Sequence, residues 1–233
     1  MLVLAVDTAT DTGGAALVRD GALVAEATFR LPSRHSVELV PAIAWIMERA
    51  GVRAADLDLV GCAAGPGSFT GLRMGMAAAL GLARAAGKPC VGVPSLAAVA
   101  YPFLTPGASV TALIDARRGR FYAQSFGLGE GGNVEPRGAP ECLTLDELSI
   151  RISAPTLLVG DPADTYRSEL AHIFGDRALF PPPGLCYHRP QVLGILAQNQ
   201  FENAGADEPV RPVYLQATGE IFAPPRAAGE RNA

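Results

Sequence analysis

Two aspartates that end apolar strands are the residues best placed for chemistry. Asp7 ends the run LVLAVD at 2–7 and Asp115 ends the run VTALID at 110–115, and each is followed by a turn and a second strand. A carboxylate at such a strand end is able to hold a divalent cation beside a nucleotide phosphate. It is also able to cap its own turn by accepting a backbone N–H. We expect turn capping, and a kinase or ATPase that uses both aspartates is the alternative.

The segment GPGSFTGLRMG, residues 65–75, is the most distinctive motif of the chain. It follows an apolar strand and opens a helix, so backbone N–H groups near Ser68–Gly71 are able to face an anion. It is neither a P-loop, since no G-K-[ST] follows, nor a G-x-G-x-x-G turn. Small residues recur along the helix every four positions, which lets a second helix approach closely. We predict a subunit interface there, with internal packing against a helix at 36–51 as the alternative; the row consists of Gly71, Gly75, Ala79 and Ala83.

The other polar candidates form no recognisable set. His35 is isolated, and we expect it to make a contact at the start of a helix or at an interface. The four cysteines include no C-x-x-C pair and the three histidines lack the spacing of a zinc site, which argues against a structural metal and a disulfide framework. A basic cluster predicts a solvated hairpin turn, with contact to an RNA phosphate or a partner carboxylate as the alternative; its members are Arg117, Arg118 and Arg120.

The composition excludes several classes of protein. The chain has 233 residues, 18% of them charged, and a net charge of −4, which gives no electrostatic basis for binding nucleic acid on its own. No stretch approaches the ~18 consecutive apolar residues of a membrane span. The opening MLVLAVDTAT lacks a basic region and reaches Asp7 too early for a signal peptide. We therefore expect a cytoplasmic protein with no membrane partner.

The order of the predicted elements indicates two similar lobes. The unit of strand, aspartate, turn and strand at 2–18 recurs at 110–126, and apolar periodicity predicts helices at 36–51 and 70–86. This pattern is typical of the two-lobed actin/hexokinase-like (ASKHA) α/β fold, in which a mixed sheet with its helices is duplicated. We expect an N-terminal lobe over 1–104, to which 207–222 return, a C-terminal lobe over 105–206 and a disordered tail over 223–233.

Several segments, in order along the chain, resemble the TsaB (YeaZ) family, the non-catalytic paralogues of TsaD in bacterial biosynthesis of tRNA threonylcarbamoyladenosine. The most specific of them is GPGSFTGLRMGMAAALGLA at 65–83. The others are LAVDTAT at 4–10, RHSVELVP at 34–41, GVPSLAAVA at 92–100, DARRGRFY at 115–122 and PVYL at 212–215. The family pattern has an arginine after PVYL, where this chain has Gln216.

The resemblance implies a scaffold rather than an enzyme. Such a subunit binds TsaD directly, through the helices at 36–51 and 70–86, and supports transfer of threonylcarbamoyl to the adenosine at position 37 of ANN-decoding tRNAs. A TsaC-type synthase supplies the donor and TsaE, in the same complex, turns over ATP. The subunit meets tRNA only through the complex. On its own, the same helical surface is expected to form a homodimer.

The resemblance also implies that catalytic features are missing. TsaD-like enzymes have an H-x-x-x-H metal pair where this chain has Ser95 and Val99, which disfavours a metallopeptidase of the glycoprotease type. The superfamily's phosphate hairpin D-x-G-[ST] reads Asp-Thr-Ala-Thr over residues 7–10, without its glycine. We therefore predict no catalytic residue, no cofactor and no metal. A degenerate cleft is formed by Asp7, Thr10 and Asp115. The predicted partner interface consists of His35, Leu39, Ile43, Met47, Phe69, Gly71, Leu72, Met74, Gly75, Ala78, Ala79 and Leu82.

Overall fold

Two five-stranded sheets organise the chain. The structure, a computed structural model, describes residues 1–31, 34–206 and 209–215, and the backbone of 221–222. The first sheet consists of β1 (Leu2–Asp7), β2 (Thr12–Arg19), β3 (Ala22–Arg30), β4 (Leu59–Gly65) and β5 (Cys90–Pro94). The second consists of β6 (Val110–Arg117), β7 (Arg120–Leu128), β8 (Val134–Thr144), β9 (Thr156–Val159) and β10 (Ala178–Leu179). A short antiparallel pair joins β11 (Tyr214–Leu215) to β12 (Ile221–Phe222).

The two sheets share one topology. The strand order is β3-β2-β1-β4-β5 in the first sheet and β8-β7-β6-β9-β10 in the second. In each sheet the first three strands form an antiparallel meander, and the fourth and fifth run parallel to the first. The prediction of a duplicated mixed-sheet unit is confirmed by this repetition.

Helices cover both faces of the sheets. In the described part of the chain they are α1 (His35–Arg49), α2 (Phe69–Ala86), α3 (Ser95–Ala100), α4 (Leu145–Arg151), α5 (Asp161–Thr165), α6 (Arg167–Phe174) and α7 (Pro190–Ala204). On one face of the first sheet, Leu39 and Ile46 of α1 and Met76 of α2 pack against Leu4 of β1. Apolar residues three and four positions apart form this buried side of each helix. Each large apolar side chain buried there stabilises the fold by about 1.5–3 kcal/mol.

The last helix of each unit crosses to the other sheet. α3 follows the first sheet in the sequence, yet its Leu96 packs in the core of the second. α7 follows the second sheet, yet Leu193 and Ala197 pack against the first. This differs from the expected lobe over 105–206, which assigned α7 to the second sheet. The close approach depends on a glycine of β4, since a Cβ on Gly61 would lie 2.7 Å from the Cβ of Ala197.

The segment 209–215 also lies against the first sheet. Val213 N–H donates to the carbonyl oxygen of Ala64 at 2.7 Å, and Tyr214 joins the apolar core on the α7 side. Gln216 and the predicted tail over 223–233 lie outside the described residues. Among the helices of the described ranges, none combines the length and the hydropathy needed to span a membrane.

Candidate functional site

A cleft of about 620 Å³ opens between the two sheets. Its walls are formed by Thr10 and Asp11 after β1, by the start of α2, by the end of β6 and by Asp161 of α5. The turns that follow β1 and β6 therefore meet at one cavity, as the duplicated strand-and-aspartate pattern predicted. The cleft is the candidate site, and its side chains decide what it is able to bind.

Asp7 lies beneath this cleft and is 1% exposed. Its Oδ1 accepts the N–H of Ala9 at 2.9 Å, so the side chain caps the turn after β1. Its Oδ2 lies 2.8 Å from Nδ1 of His188. The expected turn cap is present, and both carboxylate oxygens are engaged by groups of the chain itself.

The sequence reasoning missed His188, which is buried beside Asp7. Burial on its own lowers the pKa of an imidazole, but the charge of Asp7, the hydrogen bond to it and the charge of Asp161 outweigh burial and raise the pKa of His188. The raised pKa favours the protonated form of His188, and the side chains of both residues are shielded from water. Among the described residues, Nε2 of His188 has no hydrogen-bond partner. A lone histidine 181 positions away from its partner gives no sequence signal by which the contact could be found.

Arg117 spans the mouth of the cleft. Its guanidinium donates to Asp11 at 2.7 Å and to Asp115 at 3.4 Å. Asp115 also accepts the backbone N–H of Arg117 at 2.7 Å and so caps its turn, as expected. The hydrogen bond to Asp11 raises the pKa of Arg117. The third predicted cleft residue, Thr10, closes its own turn through hydrogen bonds with the backbone of Thr12.

The three arginines of the β6–β7 turn do not form one basic patch. Arg117 binds acidic groups of the cleft, whereas Arg120 donates to the carbonyl oxygen of Cys142 at 3.2 Å and pairs with Glu147 at 3.3 Å. Arg118 is exposed, in a left-handed backbone conformation with φ 54°. A contact of this turn with RNA or with a partner stays a prediction, and Arg118 is the member best placed for it.

These contacts do not fit a magnesium nucleotide bound between the lobes. Such a ligand needs a free carboxylate for the cation and free backbone N–H groups for the phosphates. Both oxygens of Asp7 are engaged, and Arg117 joins the two turns. The N–H of Ser68 donates to the Ala9 carbonyl at 2.7 Å, and that of Gly71 donates to Ser68 Oγ at 3.2 Å. Asp7 and the N–H groups of Ser68 and Gly71 therefore already have partners within the chain.

The small-residue row of α2 faces into the protein. A Cβ on Gly71 would lie 2.0 Å from the carbonyl oxygen of Thr8, and one on Gly75 would lie 2.3 Å from Thr8 Oγ1. Thr8 Oγ1 donates to the Gly71 carbonyl at 2.7 Å. Ala79 and Ala83 continue the row in the core. The prediction of a subunit interface at this row was wrong: the glycines admit the end of β1, not a second helix.

Most of the predicted interface residues are likewise core residues. An apolar period of 3.6 marks the helix face that packs against the sheet, which is why the pattern selected them. His35, for example, places its Nε2 3.1 Å from the carbonyl oxygen of Asp11. Met47, Met74, Ala78 and Leu82 are half-buried. Only Phe69 is largely exposed, at 52%. The buried members are His35, Leu39, Ile43, Gly71, Leu72, Gly75 and Ala79.

A second apolar stripe, on the outer side of α1, is exposed and was missed. Val37, Val40 and Trp45 are 59%, 62% and 50% exposed, and they spread over about 140° of the helix surface, outside its buried side. The neighbouring α2 adds Phe69 and Leu80. We call these five residues the docking face. Large apolar side chains exposed on two helices that contact each other are a feature of protein–protein contacts.

Ser95 and Val99, at the positions of a predicted lost metal pair, have structural roles. Ser95 is fully buried and its Oγ accepts the N–H of Gly65 at 3.2 Å. Val99 packs in the core of the second sheet. Over the described ranges, no three His, Cys, Asp or Glu side chains converge in a way that could hold a metal ion.

Comparison with known proteins relates the chain to two groups. A family model for TsaD, tRNA N6-adenosine threonylcarbamoyltransferase, matches residues 30–135. The tRNA threonylcarbamoyladenosine biosynthesis protein TsaB of Bacillus subtilis is 27% identical over 202 residues, which cover 86% of this chain and 88% of that protein. TsaB of Escherichia coli is 38% identical over 135 residues, 57% of this chain; the match spans only 58% of the E. coli protein.

A solved structure supports the fold. YeaZ from Pseudomonas aeruginosa superimposes with a TM-score of 0.76 at 24% identity, over 92% of this chain and 99% of that one. The prediction of a two-lobed α/β protein of the actin/hexokinase-like class is confirmed by this match together with the duplicated strand order.

Proposed function

The chain belongs to the TsaB (YeaZ) family, and on that premise we propose that it is a non-catalytic subunit of a tRNA threonylcarbamoyltransferase complex. It binds a TsaD-type transferase directly and supports transfer of the threonylcarbamoyl group to adenosine in tRNA. The E. coli and B. subtilis relatives are named as tRNA threonylcarbamoyladenosine biosynthesis proteins. The chemistry belongs to the transferase, and the chain meets TsaE and tRNA within the complex.

The observation that carries the proposal is the docking face. Val37, Val40 and Trp45 on α1 expose apolar surface that a bound partner would remove from water. Burying one such side chain fully against a partner is worth about 1.5–3 kcal/mol. Because α1 and α2 contact each other over one face of the first sheet, a partner that covers one helix is able to reach the other.

The state of the cleft supports a non-catalytic role. Oδ2 of Asp7 contacts Nδ1 of His188, and Oδ1 accepts the N–H of Ala9 in the turn after β1. Arg117 is paired across the mouth of the cleft with Asp11. A kinase or ATPase would require both strand-end aspartates to face its nucleotide, whereas here they cap turns. In this proposal the residues of the cleft serve to connect the two sheets, through the pairing of Arg117 with Asp11.

Without its partner, the chain pairs with a second copy through the same docking face. In a two-fold dimer each patch meets its own copy, so one exposed apolar surface is sufficient for self-association. The transferase and the second copy then compete for the same residues. Addition of the transferase is therefore expected to convert the homodimer into a heterodimer.

The test measures partner binding and tRNA modification. The chain and the TsaD-type transferase of the same organism are co-purified, and modification of tRNA is assayed with each component omitted. Trp45→Glu introduces a charge on the docking face and should weaken binding at least 30-fold, the effect expected of an interface hot spot. Ile150→Glu is the matched control, because Ile150 is 78% exposed on α4, outside the docking face.

Three results would contradict the proposal. The first is a transferase that modifies tRNA equally well without this chain. The second is Trp45→Glu and Ile150→Glu proteins that bind the transferase equally well. The third is turnover of magnesium ATP by the isolated chain, lost on Asp7→Asn, which would favour the kinase or ATPase alternative.

A further inference from the structure

An arginine stacks over one of two adjacent aromatic rings at the exposed start of α2. The guanidinium carbon of Arg73 is 3.7 Å from the centroid of the Phe69 ring and 5.6 Å from that of Tyr214. Its Nε donates to the phenol oxygen of Tyr214 at 2.8 Å. The two rings are 4.9 Å apart and inclined by 37°. Phe69, Arg73 and Tyr214 thus form one stacked unit, which we call the aromatic cluster.

The cluster connects two exposed side chains, Phe69 and Arg73, to the buried side chain of Tyr214. Tyr214 is only 9% exposed, and the N–H of the preceding Val213 donates to Ala64 of the first sheet. Phe69 is 52% exposed and Arg73 is exposed as well. Tyr214 therefore holds the outer two side chains in place from below. The C-terminal segment 209–215 contributes this support, although it is distant in sequence from α2.

Such an arrangement has the properties of an interface hot spot. Aromatic residues and arginine dominate hot spots because they bury much surface and form directed contacts. An arginine normally loses much side-chain freedom when a partner binds, which costs about 0.5–1.5 kcal/mol per immobilised side chain. Here the stacking and the hydrogen bond to Tyr214 have already fixed Arg73. Its binding contacts are therefore made at a lower entropic cost.

The charge of α2 indicates what kind of partner surface fits. Its 18 residues include two arginines, Arg73 and Arg84, and no carboxylate. Within the described ranges the side chain of Arg73 donates only to Tyr214, through Nε, and Arg73 is exposed. A guanidinium with two parallel N–H groups matches a carboxylate. The complementary surface is apolar, where it meets Phe69, and carries an Asp or Glu opposite Arg73.

We propose that the aromatic cluster is the anchor by which the chain holds the transferase, with Tyr214 as the positioning residue. This rests on the proposed function: the cluster shares Phe69 with the docking face, adds Arg73 and Tyr214 to the contact, and supplies most of the affinity. The anchor lies where α2 begins, and Phe69 and Tyr214 also line the cleft. The transferase bound there covers the rim of the cleft as well as the outer side of α1.

The experiment is calorimetric titration of the full chain with the transferase of the same organism. Phe69→Ala and Arg73→Ala should each weaken binding about 30-fold or more. Arg73→Lys should weaken it nearly as much, since lysine keeps the charge but neither stacks nor offers paired N–H groups. Arg84→Ala, three turns further along α2, is the control, and should change affinity less than 3-fold.

Tyr214→Phe tests the positioning role, because it removes the phenol oxygen and keeps the ring. It should weaken binding about 5- to 10-fold, which lies within the range of one typical net hydrogen bond. In the Arg73→Ala background the same change should add less than 2-fold, since Tyr214 acts through Arg73. Thermal unfolding midpoints that match the wild type show that the variants are folded.

The outcomes separate the anchor from the proposed function. If the wild type binds the transferase and the cluster variants bind as tightly, the anchor is refuted and the proposed function stands. If the wild type does not bind, both are refuted. Equal losses in Arg84→Ala and Arg73→Ala would replace the anchor by general charge attraction. If sedimentation shows that the variants lose only the homodimer, the cluster serves contact between two copies, and the anchor is again refuted.

Discussion

The buried pair between His188 and Asp7 should make a large contribution to stability, and His188→Gln measures it. The substitution removes the positive charge and leaves the carboxylate of Asp7 in a site that is 1% exposed. Removing one partner of a buried ion pair costs about 3–5 kcal/mol, because the remaining charge is uncompensated. For a chain of this size, 1 kcal/mol corresponds to roughly 2–4 °C in the unfolding midpoint. We therefore expect the midpoint to fall by roughly 6–20 °C.

The loss should depend on pH in a defined direction. The folded protein raises the pKa of His188 above the value of about 6.5 that the unfolded chain has. The protonated imidazole therefore stabilises the fold fully below about pH 6.5, and the contribution is lost as the pH rises through the folded value. The difference in unfolding free energy between wild type and His188→Gln should be larger at pH 6 than at a second, alkaline pH above the folded pKa of His188.

The assay is urea unfolding of both proteins at the two pH values, with His172→Gln as the control. His172 is an exposed histidine on α6, and its replacement should change the free energy by less than about 0.5 kcal/mol. Asp7→Asn combined with His188→Gln should be more stable than His188→Gln alone, since no charge is then left unpaired. A His188→Gln protein as stable as the wild type, or an equal loss at both pH values, would refute the reasoning.

Four further substitutions test other contacts. Gly75→Ala should destabilise the protein by about 1–3 kcal/mol, because its Cβ would lie 2.3 Å from Thr8 Oγ1. Gly81→Ala should instead stabilise the protein by about 0.5–1 kcal/mol, because its Cβ would have nothing within 4 Å. Thermal unfolding of the two variants compares them. Ser95→Ala should cost about 1–3 kcal/mol in urea unfolding, because the buried N–H of Gly65 then has no acceptor, and an unchanged stability would contradict this role. Arg117→Ala should cost less than about 1 kcal/mol, because its ion pair is largely solvated, and a larger loss would show that the lobes depend on it.

The sequence predicted the framework because its signals are local. The runs that end at Asp7 and at Asp115 are continuous apolar strands followed by turns, and both aspartates cap those turns. The duplication was visible because strand, aspartate and turn recur in the same order. Features of this kind depend on residues within a few positions of each other, so periodicity and turn chemistry are sufficient to predict them.

What the sequence could not predict are contacts between distant residues. His188 meets Asp7 across 181 positions, and nothing near either residue indicates the other. The crossing of α7 to the first sheet depends on the fit of Ala197 against Gly61, which no periodicity reports.

The second feature that the sequence could not predict is which apolar side of a helix is exposed. Both sides of α1 are apolar: Leu39 and Ile43 are buried, whereas Val40 and Trp45 are exposed. The 3.6 period placed Val40 in one stripe with the buried residues and left out Trp45. A hydrophobic pattern identifies a helix face that is buried, either inside the chain or against another protein. It does not distinguish the chain's own sheet from a second protein. Only the exposure of individual side chains in the folded chain separates the two.

The turn after β1, which borders the cleft, and the start of α2 form one structural unit. Thr8 Oγ1 donates to the Gly71 carbonyl, and the N–H of Ser68 donates to the Ala9 carbonyl, so the turn after β1 fixes the start of α2. Gly67 fits against the same turn, with a would-be Cβ only 2.4 Å from the carbonyl oxygen of Ala9. Residues that a nucleotide would otherwise engage thereby hold in place the helix on which Phe69 and Arg73 stand. A change at this turn should therefore weaken partner binding even though the turn itself is not part of the docking face.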